Sequence, residues 1–359
     1  MIVSCIVSPF IDLSINYLRG ASDTNPYIGL LNWLPLFISF VGFQPYLKTK
    51  SNRLRSGIYL IFGTIPILIS GFGQYLFNWY GPLEFLNGLI IWYQRENTIG
   101  MTSIFNNQNY ASCVLATVFP FFFASIFNCK NSLNRRIIAI SLTILVGFGI
   151  LFTTSRNGLL GLLIGITILL IPLRRKIFIT GFLSLISVLI INYLSNLIFN
   201  IYFIPSTLIN KLNFNSLTNE PRIILWKSAF KYIFEKPLLG WGGHSFSSIW
   251  NSSNIKYFSH SHSAPLEFAI QYGLLTSFIL ALIIIYILIK SFKLIFFKID
   301  KKLILISEYN DFDRAWLSSG VVILFSNTID ILYYDLRISL LLWILLSGLR
   351  VIIRNENNN

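Results

Sequence analysis

Long apolar runs alternate with short polar stretches along this chain. The runs fall at about 2–18, 28–47, 57–77, 110–128, 137–154, 157–173, 177–199, 264–289, 314–332 and 337–350. Most approach or exceed the roughly 17–25 residues that carry a helix across about 30 Å of hydrocarbon. A bilayer offers no water to exposed backbone groups, so runs of this length are read as helices. Proline inside a run, as at Pro35, Pro66 and Pro172, is compatible with that. The pattern predicts an all-α, polytopic membrane protein of about ten transmembrane helices. A shorter apolar stretch, Gly81–Tyr93, is expected to lie in the interface or to re-enter. The run Ile2–Leu18 has no basic segment before it and no small-residue cleavage site after it, and is read as a retained first helix.

The longest hydrophilic interruption, residues 200–263, separates the seventh run from the eighth. The expected organisation is therefore an N-terminal transmembrane bundle (1–199), one large loop (200–263), and C-terminal transmembrane helices with a tail (264–359). Composition strengthens the membrane reading: 54% of the 359 residues are hydrophobic and 12% charged. A soluble domain carries about 25% charged residues. Cys5, Cys113 and Cys129 lie in or beside apolar runs without CxxC spacing, so they indicate neither a disulfide framework nor a thiolate metal site.

A net charge of +14 raises nucleic acid as a partner, but the basic residues sit in short clusters between apolar runs. Membrane topology accounts for them. Lys48–Arg55, Lys130–Arg136, Arg174–Lys176, Lys290–Arg314 and the tail with Arg350 and Arg354 are separated by even numbers of helices and hold 18 of the 28 basic residues. The short loops of the other side hold only Arg19, Arg95, Arg156 and Arg337. The positive-inside rule places the first set in the cytoplasm and residues 200–263 outside.

All three histidines, His244, His260 and His262, fall within that outer loop. Neutral imidazole near pH 6.5 takes a proton from a hydroxyl and passes it on. The bland alternative is a solvated or hydrogen-bonded loop histidine. Zinc is a further alternative, but no HExxH is present and the nearby carboxylates are few: Glu220, Glu235 and Glu267. The loop also encodes a helix: Thr218 or Asn219 can cap it, Pro221 suits its first turn, and Lys236–Pro237 ends it. Ile223, Trp226, Phe230 and Ile233 are expected as its apolar stripe, with Arg222, Lys227 and Lys231 off it. Such a helix rests on a membrane surface, where its cations can meet a lipid-linked phosphate. Gly240, Gly242 and Gly243 follow, permitting a tight turn or close backbone approach.

Arg156 sits in Thr153–Thr154–Ser155–Arg156–Asn157–Gly158, a turn between two apolar runs. An arginine there either snorkels to the surface or serves a partner, and its guanidinium fork matches pyrophosphate oxygens. Asp330 and Asp335 bracket the last outer turn, where one can orient a basic group.

Taken together, these stretches resemble the bacterial O-antigen ligase and O-antigen polymerase superfamily. The likeness is carried by Phe105–Ala111, by Thr154–Gly158, by Pro221–Trp226 continuing to Pro237–Gly242, and by His260–Glu267 followed by Tyr272–Leu275. The resemblance implies a metal-independent, inverting glycosyltransferase of the multi-helix membrane type, needing no cofactor. Its donor would be a glycan on undecaprenyl pyrophosphate, its acceptor a glycan or lipid-core sugar, and its active site would face the periplasm from the bacterial inner membrane. Carried over, Arg156 and Arg222 hold the donor pyrophosphate and His262 is the base, with His260 as fallback. His244, Lys227 and Asp330 are possible support. Two positions depart from the pattern: Ser263 replaces the usual asparagine, and Gln271 stands where an acidic residue is common. From another class, a transporter of a small anion such as inorganic carbon remains the alternative. It would require ionisable groups near mid-membrane, whereas here they collect at the outer rim. Ligase and polymerase differ in acceptor and are not separated by these residues.

Overall fold

The computed structural model describes residues 1, 32–96, 99–127, 132–171, 205, 207–208, 211, 221–253, 257–297 and 308–357. The expected spans at 2–18 and 177–199, and the caps Thr218 and Asn219, lie outside them. The described chain is mostly helical. Five of its helical stretches are long and apolar enough to cross a membrane: Lys50–Phe77, Gln108–Ile126, Leu133–Phe152, Ala264–Phe297 and Leu336–Asn355. Contacts divide the chain into two compact units.

The first unit comprises Tyr46–Thr218 and Ser291–Ser326. Its helices are α2 (Lys50–Gly63), α3 (Ile65–Phe77), α4 (Gln108–Ile126), α5 (Leu133–Phe152) and α6 (Arg156–Leu170), joined by most of α10 (Glu308–Ile329). Thr49 caps α2 by accepting from Asn52 N, so the helix begins within the basic cluster read from the sequence as a loop. Arg53 is consequently not a loop cation. It is buried and grips Asp313 with two bonds of 2.7 and 2.9 Å. Pro66 offers no backbone donor to continue the ladder from α2, and the span bends there into α3.

Helix α4 is the axis of this unit, buried along nearly its whole length and packed on α5 and α6. Close approach of α6 depends on small residues. A Cβ on Gly158 would overlap Ser112, and one on Gly161 would press on Ala116 and Val322.

The stretch at Gly81–Tyr93, expected to lie in the interface or to re-enter, is not helical. It is a β-hairpin, β1 (Gly81–Phe85) antiparallel to β2 (Ile90–Gln94), in register Phe85↔Ile90. The turn between them carries positive φ at Leu86, Asn87 and Gly88. Asn-Gly favours that geometry, and the aromatic and β-branched β2 favours a strand. Among the described residues these are the only strands, a departure from an all-α chain.

The second unit comprises Met1–Pro45, Asn219–Lys290 and Asn327–Asn359. It holds α1 (Leu34–Gly42), α7 (Pro221–Glu235), α8 (Ser245–Ser253), the main part of α9 (Ala264–Phe297) and α11 (Leu336–Asn357). Helix α1 covers only part of the expected span 28–47. Aromatic edges join it to α11, with Phe37 5.0 Å and Phe40 5.8 Å from Trp343 between ring centroids. Helix α7 buries Leu225, Ala229, Tyr232 and Ile233 against Phe246, Trp250, Ala269 and Ile270. Of the apolar stripe expected from the sequence, Ile233 is buried within the unit and Ile223 and Phe230 are exposed. Large apolar side chains therefore lie on more than one face of this helix, with Leu225, Ala229, Tyr232 and Ile233 on the packed one.

Candidate active site

The loop that carries the histidines is positioned by an interruption in α9. At Gly273 the backbone has φ of 82°, and the helix ladder is broken there. The carbonyls of Ile270 and Gln271 lose their helical donors, and buried backbone acceptors must be paired elsewhere. The glycine turn after α7 supplies the donors. Trp241 N donates to Ile270 O at 2.7 Å and Gly242 N to Gln271 O at 3.0 Å, while Leu274 N donates back to Pro237 O at 2.7 Å. Backbones meet this closely only without side chains between them. A Cβ on Gly240 would lie 2.5 Å from Ile270 O, and one on Gly273 would overlap Leu238 O. The glycine turn thus approaches protein backbone.

Above this junction the second unit gathers most of the expected site. His262 Nδ1 lies 3.2 Å from Asp330 Oδ1, and Arg222 Nη2 lies 3.7 Å from Asp330 Oδ2. Asp330 is buried, whereas the side chains of His262 and Arg222 remain about a quarter exposed (27% and 24%) and so can meet a substrate. The rings of His260 and His262 stand 4.3 Å apart, edge to face. His244 stacks on Tyr334 at 5.5 Å, and His260 lies 6.1 Å from the same ring. His262 and His244 both adopt left-handed backbone, φ 53° and 58°. Trp226 Nε1 donates to the His262 carbonyl at 3.4 Å, tying that turn to α7. Lys227, expected as support, is exposed on α7, and among the described residues nothing joins it to this cluster.

The electrostatics separate the three imidazoles. Burial, aided by the charge of nearby His262, pushes His260 down to about 4, so it is neutral at neutral pH. Its Nδ1 is buried without a hydrogen-bond partner. Burial also lowers His244. Burial alone would raise Asp330, but its hydrogen bond with His262 and the charge of Arg222 outweigh that and hold the carboxyl below its usual range. An ionised Asp330 accepts, so Nδ1 of His262 carries the proton between them. In the neutral imidazole so oriented, the lone pair lies on Nε2. Among the described residues no group of three or more His, Cys, Asp or Glu side chains is placed to hold a metal ion.

Arg156 belongs to the other unit, where two more of the quoted stretches meet. Ser155 caps α6, its hydroxyl donating to Asn109 Oδ1 at 2.9 Å. Thr154, at φ 51°, donates to Gln108 Oε1 at 3.3 Å. Asn107 in turn caps α4 by accepting from the backbone of Asn109 and Tyr110. Arg156 donates to the Lys211 carbonyl at 3.2 Å, and Lys211 Nζ donates to the carbonyl and hydroxyl of Thr154, each at 3.1 Å. Burial, with Arg156 adding to it, lowers Lys211. Sequence reasoning did not single out Lys211, because a lone lysine in a loop carries no pattern.

Residues 139–281 match the family model described as O-antigen ligase. Over that segment, about two fifths of the chain, the protein is similar to the O-antigen ligase and polymerase superfamily, the resemblance drawn from its sequence. No curated protein matches it. The matched segment runs from α5 into α9 and contains Arg156, Arg222 and all three histidines, while Asp330 lies beyond it. The match, with the long apolar helices, supports a multi-pass membrane protein with an activity of the O-antigen ligase or polymerase type. Transport of a small anion, the alternative drawn from the sequence, gains no support from this match.

Proposed function

We propose that this protein moves a glycan from undecaprenyl pyrophosphate to an acceptor hydroxyl at the periplasmic face of the bacterial inner membrane, inverting the anomeric carbon without a metal. His262 Nε2 takes the proton of the acceptor hydroxyl. Asp330 fixes the Nδ1–H tautomer and favours the imidazolium as it forms. The acceptor oxygen bonds to the anomeric carbon as the bond to the pyrophosphate oxygen breaks. Negative charge then grows on the leaving group, and fixed guanidinium groups stabilise it without reorganising. Arg222 is assigned that task, and the family resemblance assigns it to Arg156 as well.

One observation supports this above the others: the 3.2 Å contact that gives His262, alone among the three histidines, a buried carboxylate partner. His260, held near 4, is too weak a base at neutral pH for the same role. The outer location is supported by the charge alternation along the chain.

The test is surface glycan in a strain deleted for the gene and complemented with wild type, His262→Ala, Arg222→Ala or Arg156→Ala. Wild type restores full-length glycan; the variants, present at equal level in the membrane, do not. Full restoration by His262→Ala would overturn the assignment. A banded ladder lost on deletion marks a polymerase, and lipid-linked polymer accumulating unligated marks a ligase.

A further inference from the structure

His262 has φ of 53°. For a side-chain-bearing residue this conformation persists only where its surroundings hold it. Asp330, its partner, comes from the turn between α10 and α11. Contact between the two thus depends on what keeps these separate turns in register. Directly beneath them runs a chain of buried polar groups that the mechanism above does not use.

Ser261 N, immediately before His262, donates to Glu267 Oε2 at 3.0 Å. Gln271 Nε2, one helical turn further along α9, donates to Glu267 Oε1 at 3.1 Å. The same amide nitrogen donates to the Tyr333 hydroxyl at 3.3 Å, three residues beyond Asp330. Ser261 and Glu267 are fully buried, Gln271 is 2% exposed and Tyr333 9%. In the low dielectric of such a site each bond is strengthened, and each unmade bond is expensive.

We propose that Glu267, Gln271 and Tyr333 are positioning residues: a buried bridge that sets the contact between His262 and Asp330. This rests on the reading of His262 as the base. The bridge has a definite polarity. Glu267 accepts at both oxygens, while the Gln271 amide donates in both directions, towards Glu267 and towards Tyr333. A carboxylate at 271 offers neither donor and sets two acidic groups about 3 Å apart, which forces one of them to take a proton. Exchanging the two residues restores the pattern in mirror form. An amide at 267 accepts from Ser261 N and donates to a carboxylate at 271, which accepts from the Tyr333 hydroxyl. The buried charge is unchanged.

The test compares the full-length protein with Gln271→Glu, Glu267→Gln and the double exchange Glu267→Gln/Gln271→Glu. Surface glycan in the complemented deletion strain is read per molecule in the membrane, alongside the melting temperature of the purified protein. Carbethoxylation of His262 by diethyl pyrocarbonate, followed by mass spectrometry, reports on the imidazole independently of transfer. Gln271→Glu lowers transfer by about tenfold or more and slows His262 modification about threefold, and the exchange brings both within about threefold of wild type. The proposal is overturned if Gln271→Glu transfers and reacts like wild type, or if the exchange is no better than Gln271→Glu. A purely structural role would make transfer follow melting temperature across the set. Should wild type itself make no glycan, the transferase reading fails, while the modification rates still decide whether the bridge positions His262.

Discussion

The two arginines that the family resemblance assigns to one donor sit in contrasting surroundings. Arg222 reaches into a corner organised by a carboxylate, with Asp330 accepting from His262 and facing the guanidinium at 3.7 Å. Arg156 heads α6 in a turn knit by carbonyls and hydroxyls, with Lys211 bonded into the same turn. In the first corner the cation and the base lean on one anion, so any change in one is felt by the other. In the second, a cation stands at a helix N-terminus, where the macrodipole also favours negative charge. On the proposed reading the first corner would move a proton and the second would hold an anion.

The largest test of that contrast is removal of the base and its carboxylate. His262→Ala or Asp330→Ala lowers glycan transfer by about 10²–10⁴, the usual span for general base catalysis. Asp330→Asn is nearly as damaging, because the amide can hold the wrong tautomer. The arginines come next. Arg156→Lys keeps the charge and retains more activity than Arg156→Ala, whereas Arg222→Lys is sharper in its loss if the fork geometry at Asp330 matters. Transfer assays on membranes carrying Arg156→Lys, Arg156→Ala, Arg222→Lys or Arg222→Ala decide between charge and shape.

Stability offers a smaller, independent handle. His260 is depressed to about 4 in the folded protein, below the usual histidine value near 6.5. The unfolded chain therefore binds a proton first, and His260 subtracts stability progressively as pH falls from about 6.5 towards 4. Asp330 has the opposite history but the same sign: its lowered carboxyl contributes stability above its ordinary range near 4 that is lost as pH falls through its folded value. Melting temperature should thus drop on acidification, and His260→Gln should flatten the upper part of that drop. Gly273→Ala loses about 1–3 kcal/mol through strained φ and overlap with the Leu238 carbonyl, read as a lower melting temperature at every pH. Smallest of all, Lys227→Ala changes transfer by less than about twofold, since surface substitutions outside a site rarely matter.

Much of the frame was legible along the chain. Apolar runs located the five long spans among the described residues, because burying a backbone in hydrocarbon demands a helix of fixed length. Pro221 marked the start of α7, and Lys236–Pro237 its end. The Asn87–Gly88 pair between two apolar strands was a readable hairpin signal that the eye for long runs passed over. His244, His260 and His262 were singled out from clustering in one loop and Arg222 from the loop helix and the family resemblance, and the four do come together.

What the residues offered by themselves was this inventory: helices long enough to span, one long loop with all three histidines and Arg222, and a family resemblance whose chemistry would use both. Hydropathy and charge are local quantities, summed over neighbours in sequence. Which carboxylate meets which imidazole is not local. Asp330 lies 68 residues from His262, and no spacing rule selects it over Asp335. The resemblance had already put His262 before His260 as the proposed base; burial and partners add a physical reason for that order. Packing also decided the role of the glycines, which close backbone on backbone at Gly240 and Gly273, and which face of α7 is buried within its unit. Those decisions depend on which groups remain unsatisfied once water is excluded, and only the folded packing determines that.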